Sequence, residues 1–276
     1  MDFNICHIGN EQWFNYKSDI IYSMLNSISE CGYECSLTHN QLVNNRHNIL
    51  IGADMAIEMG LSRKIKKTNV TYSILELEQI RNSTINKRQH FKFEEYVNFL
   101  SHAVCVFVIH KSNLDELSNY GISNARYFKW GYSSVLESNF TPQKSKYDFS
   151  FIGMAKGQRR DKLHKIIQDG FSVKVTDQNS PYMMKSYDMS ASRFGLDLCW
   201  ENDDDIFNYF RVCQYAAFGL PVLTDRKSDP DSYTDDLYRI SRYGDFDLDE
   251  VSEAVSDQVE ITKSKLLTKN LSVVLD

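Results

Sequence analysis

An arginine and a glutamine stand in an otherwise apolar stretch, "RVCQYAAFGLPVLTD" (211–225), and they are the first residues that could do chemistry. Arg211 and Gln214 are three residues apart, so on a helix they point in a similar direction. An arginine can bind phosphate oxygens through two parallel hydrogen bonds, and a glutamine amide can bond a ribose hydroxyl. The pair indicates a nucleotide site, unless Arg211 only caps a helix or pairs with the carboxylates at 203–205.

A second stretch, "DFSFIGMAKGQRRDKL" (148–163), supports this interpretation. It reads as a strand, a loop with two glycines, and a helix that opens with two arginines. Such a turn exposes backbone N–H groups at a helix N-terminus, where anions bind well. It is neither a P-loop nor the GxGxxG dinucleotide motif. The predicted donor-binding residues are Gly153, Lys156, Arg159, Arg160, Trp200, Arg211 and Gln214.

The segment "ENDDDI" contains Asp203-x-Asp205, a spacing at which two carboxylates can hold Mn²⁺ on a diphosphate. Carboxylates are also preferred at a helix N-terminus as caps and dipole partners. We expect capping, and therefore predict no metal site and no required cofactor. A divalent metal is kept as the alternative.

The elements that must position these residues follow from the pattern of the chain. Strand-like and helical stretches alternate, which indicates parallel βαβ units with helices on both faces of a sheet. The predicted fold class is α/β, with two Rossmann-like domains facing a cleft. We place the first domain at 1–135, a linker at 136–147, the donor domain at 148–250, and a C-terminal helix that crosses back at 251–276.

Composition limits the class of protein. The 276 residues are 42% apolar, carry a net charge of −6 and include six cysteines without CxxC pairs. No apolar run approaches the roughly 20 residues of a membrane span, and the N-terminus lacks a secretion signal. We therefore expect a cytoplasmic protein with reduced thiols that does not bind nucleic acid indiscriminately.

The two motifs together resemble the donor half of GT-B glycosyltransferases, most nearly the spore-maturation type. "YDFSFIGMAKGQRR" and "FRVCQYAAFGLPVLTD" carry the resemblance. It implies a hexosyl- or pentosyltransferase that moves a sugar from a nucleotide-diphosphate donor to a hydroxyl acceptor. The family's ribose-binding Glu falls on Gln214, and its first acidic position falls on Ile206. These departures leave a catalytically silent nucleotide- or sugar-binding module as an alternative.

Transfer to a hydroxyl needs a base near the acceptor. Three predicted strand ends offer one: His7 after the first strand, Asp54 after "NILIG", and Glu78 after "NVTYSIL", where Glu76 also lies. A lone histidine is more often structural. We favour Asp54 narrowly over Glu78, which matches an acidic position of the resembling family.

The acceptor is the least defined partner. Between Arg63 and Lys92 the chain has eight Lys/Arg and two Glu, a local charge of +6, with Lys66, Lys67 and Arg88 as candidate acceptor contacts. Such a run is usually a solvated face, but it also suits phosphates. We expect a glycan or glycoconjugate acceptor; the alternative is a phage-type enzyme acting on hydroxymethylated DNA bases.

Overall fold

The computed structural model describes residues 2–85, 88, 90–137, 145–199, 209–225, 238–239 and 247–275. The chain divides into two compact units by its internal contacts. Unit 1 comprises Met1–Phe14, Met24–Trp130 and Leu267–Asp276, and unit 2 comprises Asn15–Ser23 and Gly131–Leu266. Each unit is a parallel sheet with helices, which confirms the predicted α/β class with two Rossmann-like domains. The exact domain boundaries given above stay predictions.

The strands form two main sheets. Unit 1 has a six-stranded parallel sheet in the order β2-β1-β3-β4-β7-β8, and unit 2 has a five-stranded one in the order β10-β9-β11-β12-β13. The short strands β5 and β6 pair antiparallel. The strands are β1 Phe3–His7, β2 Cys35–His39, β3 His47–Ile51, β4 Tyr72–Glu76, β5 Ile80–Arg81, β6 Thr84–Ile85, β7 Val106–Val108, β8 Ala125–Tyr127, β9 Tyr147–Ile152, β10 Val173–Thr176, β11 Ser192–Asp197, β12 Val222–Thr224 and β13 Tyr238–Arg239.

The helices connect the strands. Those of the described residues are α1 Glu11–Glu30, α2 Ala53–Glu58, α3 Ser62–Ile65, α4 Phe93–Leu100, α5 Lys111–Asn119, α6 Gln158–Gln168, α7 Tyr182–Ser190, α8 Tyr209–Ala217, α9 Leu248–Ala254, α10 Gln258–Ser264 and α11 Leu267–Leu275, with a 3-10 turn at Ser134–Leu136. Arg211 and Gln214 both lie on α8, and residues 205–208, which precede this helix, lie outside the described part of the chain.

Two of the elements that were not predicted have a clear physical reason. Helix α7 buries Lys185, Ser186 and Asp188 and leaves Met183 and Met184 exposed, which reverses the usual amphipathic pattern. The β5–β6 ribbon turns through positive-φ residues at 82–83, which are an asparagine and a serine rather than glycines.

Each unit has its own apolar core between sheet and helices. In unit 1 the buried cluster includes Ile74, Tyr96 and Phe99, and in unit 2 it includes Phe149 and Phe151. All six cysteines carry free thiols. Among the described helices, none has both the length and the apolar character that a membrane crossing requires.

Both sheets reverse their order at one point. In unit 1, β1 is followed by β2 on one side, and the chain then returns to β3 on the other side. In unit 2, β9 is followed by β10 on one side and by β11 on the other. The carboxyl ends of the two strands at such a switch point flank a crevice in which ligands of parallel sheets commonly bind.

Candidate active site

Helix α8 is anchored to the sheet of unit 2 by Tyr215. Its hydroxyl accepts a hydrogen bond from the Ile152 N–H at 3.0 Å and donates to the Ser150 carbonyl at 2.9 Å. A Cβ at Gly195 would lie only 2.4 Å from the Tyr215 ring, so only glycine permits this approach. Because Arg211 precedes Tyr215 by about one helical turn, this packing also fixes Arg211 over the sheet.

Arg211 lies across the switch point of unit 2. Its Nη1 is 3.0 Å from Oδ1 of Asp197, the last residue of β11. Its Nη2 would be 3.4 Å from a Cβ at Gly153, the residue that follows β9, and its guanidinium lies 5.6 Å from the centre of the Phe151 ring. Only 5% of Arg211 is exposed. The side chain thus spans the ends of the two strands that flank the crevice.

A second cation and an amide join Arg211. Arg159, in the first turn of α6, donates from Nε to the Leu198 carbonyl at 2.9 Å, and its guanidinium lies 5.9 Å from the same Phe151 ring. Gln214 is buried on α8 beside Arg211. The crevice therefore brings together Gly153, Arg159 and Arg211. Gln214 lies three residues after Arg211, nearly one turn further along α8.

The other predicted donor residues are less defined. Lys156 and Arg160 are exposed, and Arg160 lies 3.6 Å from the adjacent Asp161. Trp200 lies outside the described residues, as do Asp203, Asp205 and Ile206. The backbone just before them is held by Asp225, which accepts from the Cys199 N–H at 2.8 Å and pairs with Lys162.

Lys185 is a buried cation that the sequence did not indicate. It donates to the Asn15 carbonyl at 3.0 Å and lies 3.8 Å from Asp19. Burial lowers the pKa of Lys185; Asp19 opposes this, whereas the charge of Arg211 adds to it. Arg211 and Lys185 are thus near enough for their charges to interact, and each has a carboxylate partner, Asp197 and Asp19.

In unit 1, the strand ends at and beside the switch point carry acidic groups. Asp54 lies in the first turn of α2, after Gly52, whose φ of 103° and whose missing Cβ allow close approach to the Ile8 carbonyl. Asp54 is buried, and its Oδ2 is 3.0 Å from Nη2 of Arg88. Nη1 of Arg88 also contacts Glu58, at 2.6 Å. Asp54 is thus already paired with a cation.

Glu76 and Glu78 lie at the end of the next strand, β4. Glu76 is only 2% exposed and accepts hydrogen bonds from the Tyr96 hydroxyl and from the Glu78 N–H, the latter at 2.8 Å. Burial, with a further contribution from the nearby charge of Asp54, raises the pKa of Glu76 to about 8. Glu78 is half-buried. Glu76 is thus a buried carboxyl group with a raised pKa, and Glu78 is the more accessible of the two.

His7 belongs to a histidine pair. It is fully buried at the end of β1, and its Nδ1 is 2.9 Å from Nδ1 of His39 on β2. The rings stack with centres 4.9 Å apart. A single proton between the two Nδ1 atoms satisfies this contact, which favours a structural role for His7.

Much of the basic run contacts other side chains of unit 1. Arg63 pairs with Glu95 at 3.2 Å, and Lys66 donates to Asn98, whereas Lys67 is exposed. A pocket of about 460 Å³ lies beside the run and is lined by Ile57, Glu58, Arg88, His90, Phe91 and Lys92. Arg88 therefore contacts Asp54 and also lines a pocket to which Lys92 contributes a second positive charge.

Among the described residues, no cluster of three His, Cys, Asp or Glu side chains could hold a metal ion. Asp197, the carboxylate beside Arg211, is fully buried and already engaged by Arg211 and by the Thr224 hydroxyl at 3.3 Å. It is therefore poorly suited as a metal ligand, and the Asp203 and Asp205 pair lies outside the described residues.

Comparison with known proteins places the fold. No family model matches the chain, and no curated protein matches it in sequence. Among solved structures, T4 phage BGT in complex with UDP and Mn²⁺ superposes with a TM-score of 0.60 at 16% identity, covering 99% of this chain and 95% of that one. An alpha-glucosyltransferase in complex with UDP and a 13-mer DNA gives 0.56 at 10% identity, with 99% and 95% covered. The same kind of enzyme in complex with UDP gives 0.57 at 10%, with 99% and 93% covered.

These neighbours are GT-B glycosyltransferases with two Rossmann-like domains, so the predicted GT-B resemblance is confirmed at the level of the fold. The finer resemblance to the spore-maturation type stays a prediction.

Proposed function

We propose that this protein is a glycosyltransferase that moves a sugar from a nucleoside-diphosphate donor to an acceptor hydroxyl. The observation that carries the proposal is the position of Arg211, which spans the ends of β9 and β11 at the switch point of unit 2. The UDP bound in structures of the same fold supports a donor of the UDP type. It also weighs against a catalytically silent module, because these relatives in fold are enzymes.

The donor phosphates bind at Arg211 and Arg159 in this proposal. Arg211 uses Nη1 for Asp197, and the remaining guanidinium donors can bind phosphate oxygens. The N-terminus of α6 adds its dipole. Gln214 bonds the ribose, as the family pattern implies for its position.

In the net reaction, a bond forms between the acceptor oxygen and the anomeric carbon of the sugar, and the bond from that carbon to the diphosphate oxygen breaks. The diphosphate leaves with the electron pair, and the cations of unit 2 stabilise its charge. The acceptor proton passes to a carboxylate of unit 1.

We assign that base to Glu78 rather than to Asp54. Asp54 is buried and its Oδ2 is paired with Arg88, so an acceptor hydroxyl has little access to this carboxylate. Glu78 follows the carboxyl end of β4 and keeps part of its surface exposed. In this arrangement Asp54 serves to hold Arg88.

For the acceptor, nucleic acid is the second candidate beside a glycan or glycoconjugate. Two observations favour it: one structure of the same fold contains DNA, and the pocket beside Arg88 combines an aromatic ring with His90 and Lys92. Phosphates and a nucleobase suit such a lining. If a divalent metal is also used, Asp203 and Asp205 are the carboxylates to test; no step above depends on it.

The proposal is tested by measuring UDP release from UDP-sugars in the presence of glycan or hydroxymethylated DNA acceptors. Arg211→Met should abolish most turnover. Arg193→Met is the matched control, because Arg193 also pairs with an aspartate (Asp249, 3.5 Å) and lies over a phenylalanine ring, but near the opposite end of β11. No acceptor-dependent release by the wild type would contradict the proposal.

A further inference from the structure

The turn that follows β4, residues 76–80, is held by side chains from two different elements. Glu76 contributes from the end of β4, and Asn113 contributes from the first turn of α5. Both side chains are buried. From these contacts we infer that Glu76 and Asn113 are positioning residues that hold Glu78 at the carboxyl end of β4; this inference rests on the proposed function, in which Glu78 is the base.

The two side chains bond three backbone polar groups at and just after Glu78. Oε1 of Glu76 accepts from the Glu78 N–H at 2.8 Å. Nδ2 of Asn113 donates to the Glu78 carbonyl at 2.9 Å, and Oδ1 of Asn113 accepts from the Ile80 N–H at 3.0 Å. The peptide groups on both sides of Glu78 are therefore fixed, while its own side chain stays half-buried at the surface.

The burial of these two groups indicates more than turn formation. A turn at the surface can satisfy its backbone with water, whereas a buried carboxyl and a buried amide are desolvated and stabilise a structure only when fully bonded. Such a fully bonded network gives one orientation rather than several. An orientation fixed to within about an ångström is what a base needs, because a misplacement of that size can reduce turnover by about 100-fold.

The charges that face Glu76 suit this role. Asp54 on α2 and Glu78 itself are acidic, Tyr96 on α4 donates to Oε2, and Arg88 compensates Asp54. Because burial and these acids raise the pKa of Glu76, the group retains a proton near neutral pH. A neutral Glu76 can hold the Glu78 backbone without placing a second negative charge beside the base.

The experiment is a double-mutant cycle on kcat. Asn113→Ala should lower kcat by about 10- to 100-fold, with the KM for the donor unchanged. In a Glu78→Gln background the same Asn113→Ala change should have almost no further effect, since a residue that acts through Glu78 has nothing left to position. A purely structural role would lower kcat by the same factor in both backgrounds and would overturn the inference.

Three further variants complete the test. Asn124→Ala is the matched control. The Asn124 side chain also donates to backbone carbonyls of a loop in unit 1, those of Leu100 and Ala103, but this loop precedes β7 rather than following β4. Asn124→Ala should therefore leave kcat unchanged. Glu76→Ala should behave like Asn113→Ala and replaces it in the cycle if that variant does not fold. Glu76→Gln keeps the acceptor for the Glu78 N–H, so it should retain most of kcat at pH 7 and lose any ionisation near pH 8 from the pH profile.

The outcomes separate this inference from the function it rests on. A wild type without transfer, or a Glu78→Gln variant with full activity, would overturn the assignment of Glu78 as base. A Glu78→Gln variant that loses activity while Asn113→Ala and Glu76→Ala keep full kcat would overturn the positioning role alone.

Discussion

The two sheets reverse order in the same way, but the side chains beside the two reversals carry opposite charge. In unit 2, the guanidinium groups of Arg211 and Arg159 lie over one aromatic ring, that of Phe151, and buried Asp197 pairs with Arg211. In unit 1, the acidic groups are Glu76, which ends β4, with Asp54 after β3 and Glu78 after β4, and Arg88 pairs with Asp54. The same position in the two sheets therefore carries acidic side chains in unit 1 and cationic side chains in unit 2.

In the proposed function, the difference in charge follows from what each of the two places has to bind. A diphosphate is an anion, and an excess of buried guanidinium groups stabilises it most while it leaves. A base must take a proton, and an excess of carboxylates raises proton affinity. The sheet supplies the position of each site, and the residues that follow the strands supply its charge.

The largest effect is expected on kcat, from changes to the acidic groups of unit 1. Glu78→Gln removes the proposed base and should lower kcat by about 10²- to 10⁴-fold, with UDP affinity unchanged, because UDP is bound by residues of unit 2. Asp54→Asn should lower kcat less, since Asp54 acts through Arg88. Steady-state kinetics on both variants test the assignment; the reverse order of effects would make Asp54 the base.

The next effect concerns stability. A carboxyl with an unfolded pKa near 4.3 and a folded pKa of about 8 binds a proton only when folded between these values. The raised pKa therefore adds stability below about pH 4, and this contribution is lost as pH rises towards 8. The free energy of unfolding therefore decreases by at most about 1.4 kcal/mol per pH unit in this range.

Urea unfolding at several pH values measures this slope, and Glu76→Gln should remove it. Glu137→Gln in unit 2 is the control, because the hydroxyl of Tyr132 lowers the pKa of Glu137 and leaves no loss of stability between pH 5 and 9. If the free energy of unfolding depends on pH in Glu76→Gln as it does in the wild type, Glu76 is not the group that binds this proton in the folded state.

The third effect concerns the cationic site at the switch point of unit 2, which a substitution can alter without removing a charge. Gly153→Ala would place a Cβ 3.0 Å from the Phe151 ring and 3.4 Å from Nη2 of Arg211, so we expect about tenfold weaker UDP binding. Gly170→Ala is the control, since Gly170 also has a positive φ, 97° against 155° at Gly153, but no neighbour within 4 Å of a Cβ. Equal UDP affinity in both variants would contradict a close fit at Arg211.

The smallest effect concerns the acceptor. If DNA is the acceptor, replacing Lys66 and Lys67 together by alanine should lower the log–log salt slope of DNA binding by about two, with donor binding unchanged. Since Lys66 also donates to Asn98, a decrease nearer to one would leave Lys67 as the main contact. Anisotropy titrations at two salt concentrations decide this, and a wild type without salt-sensitive binding would exclude the DNA acceptor.

Much of the fold could be predicted because parallel strands buried on both faces are apolar runs, as "NILIG" at β3 and "NVTYSIL" at β4 are. Helix α7 could not, since its buried side is formed by Lys185, Ser186 and Asp188. Their partners, such as Asp19 for Lys185, are far away in sequence.

The residues of the candidate sites also differ in how far the sequence alone could indicate them. Arg211 stood out as a charged residue in an apolar stretch, and Gly153 as a residue before a helix. Asp197 was overlooked, although an acid in the buried run "RFGLDL" was a signal of the same kind. The importance of Glu76 depends on burial under Tyr96, twenty residues away, and no local pattern reveals that.

The nucleotide assignment is tested most directly by calorimetric titration of UDP and of uridine into the wild type and into Arg211→Met. We predict that the wild type binds UDP more tightly than uridine. In Arg211→Met, the affinity for UDP should fall by about 10- to 150-fold, equivalent to about 1.5–3 kcal/mol for a charge-assisted contact, while uridine affinity is unchanged. Arg193→Met should bind both ligands like the wild type. Equal affinity of a folded Arg211→Met variant and the wild type for UDP would contradict a diphosphate site at the switch point of unit 2.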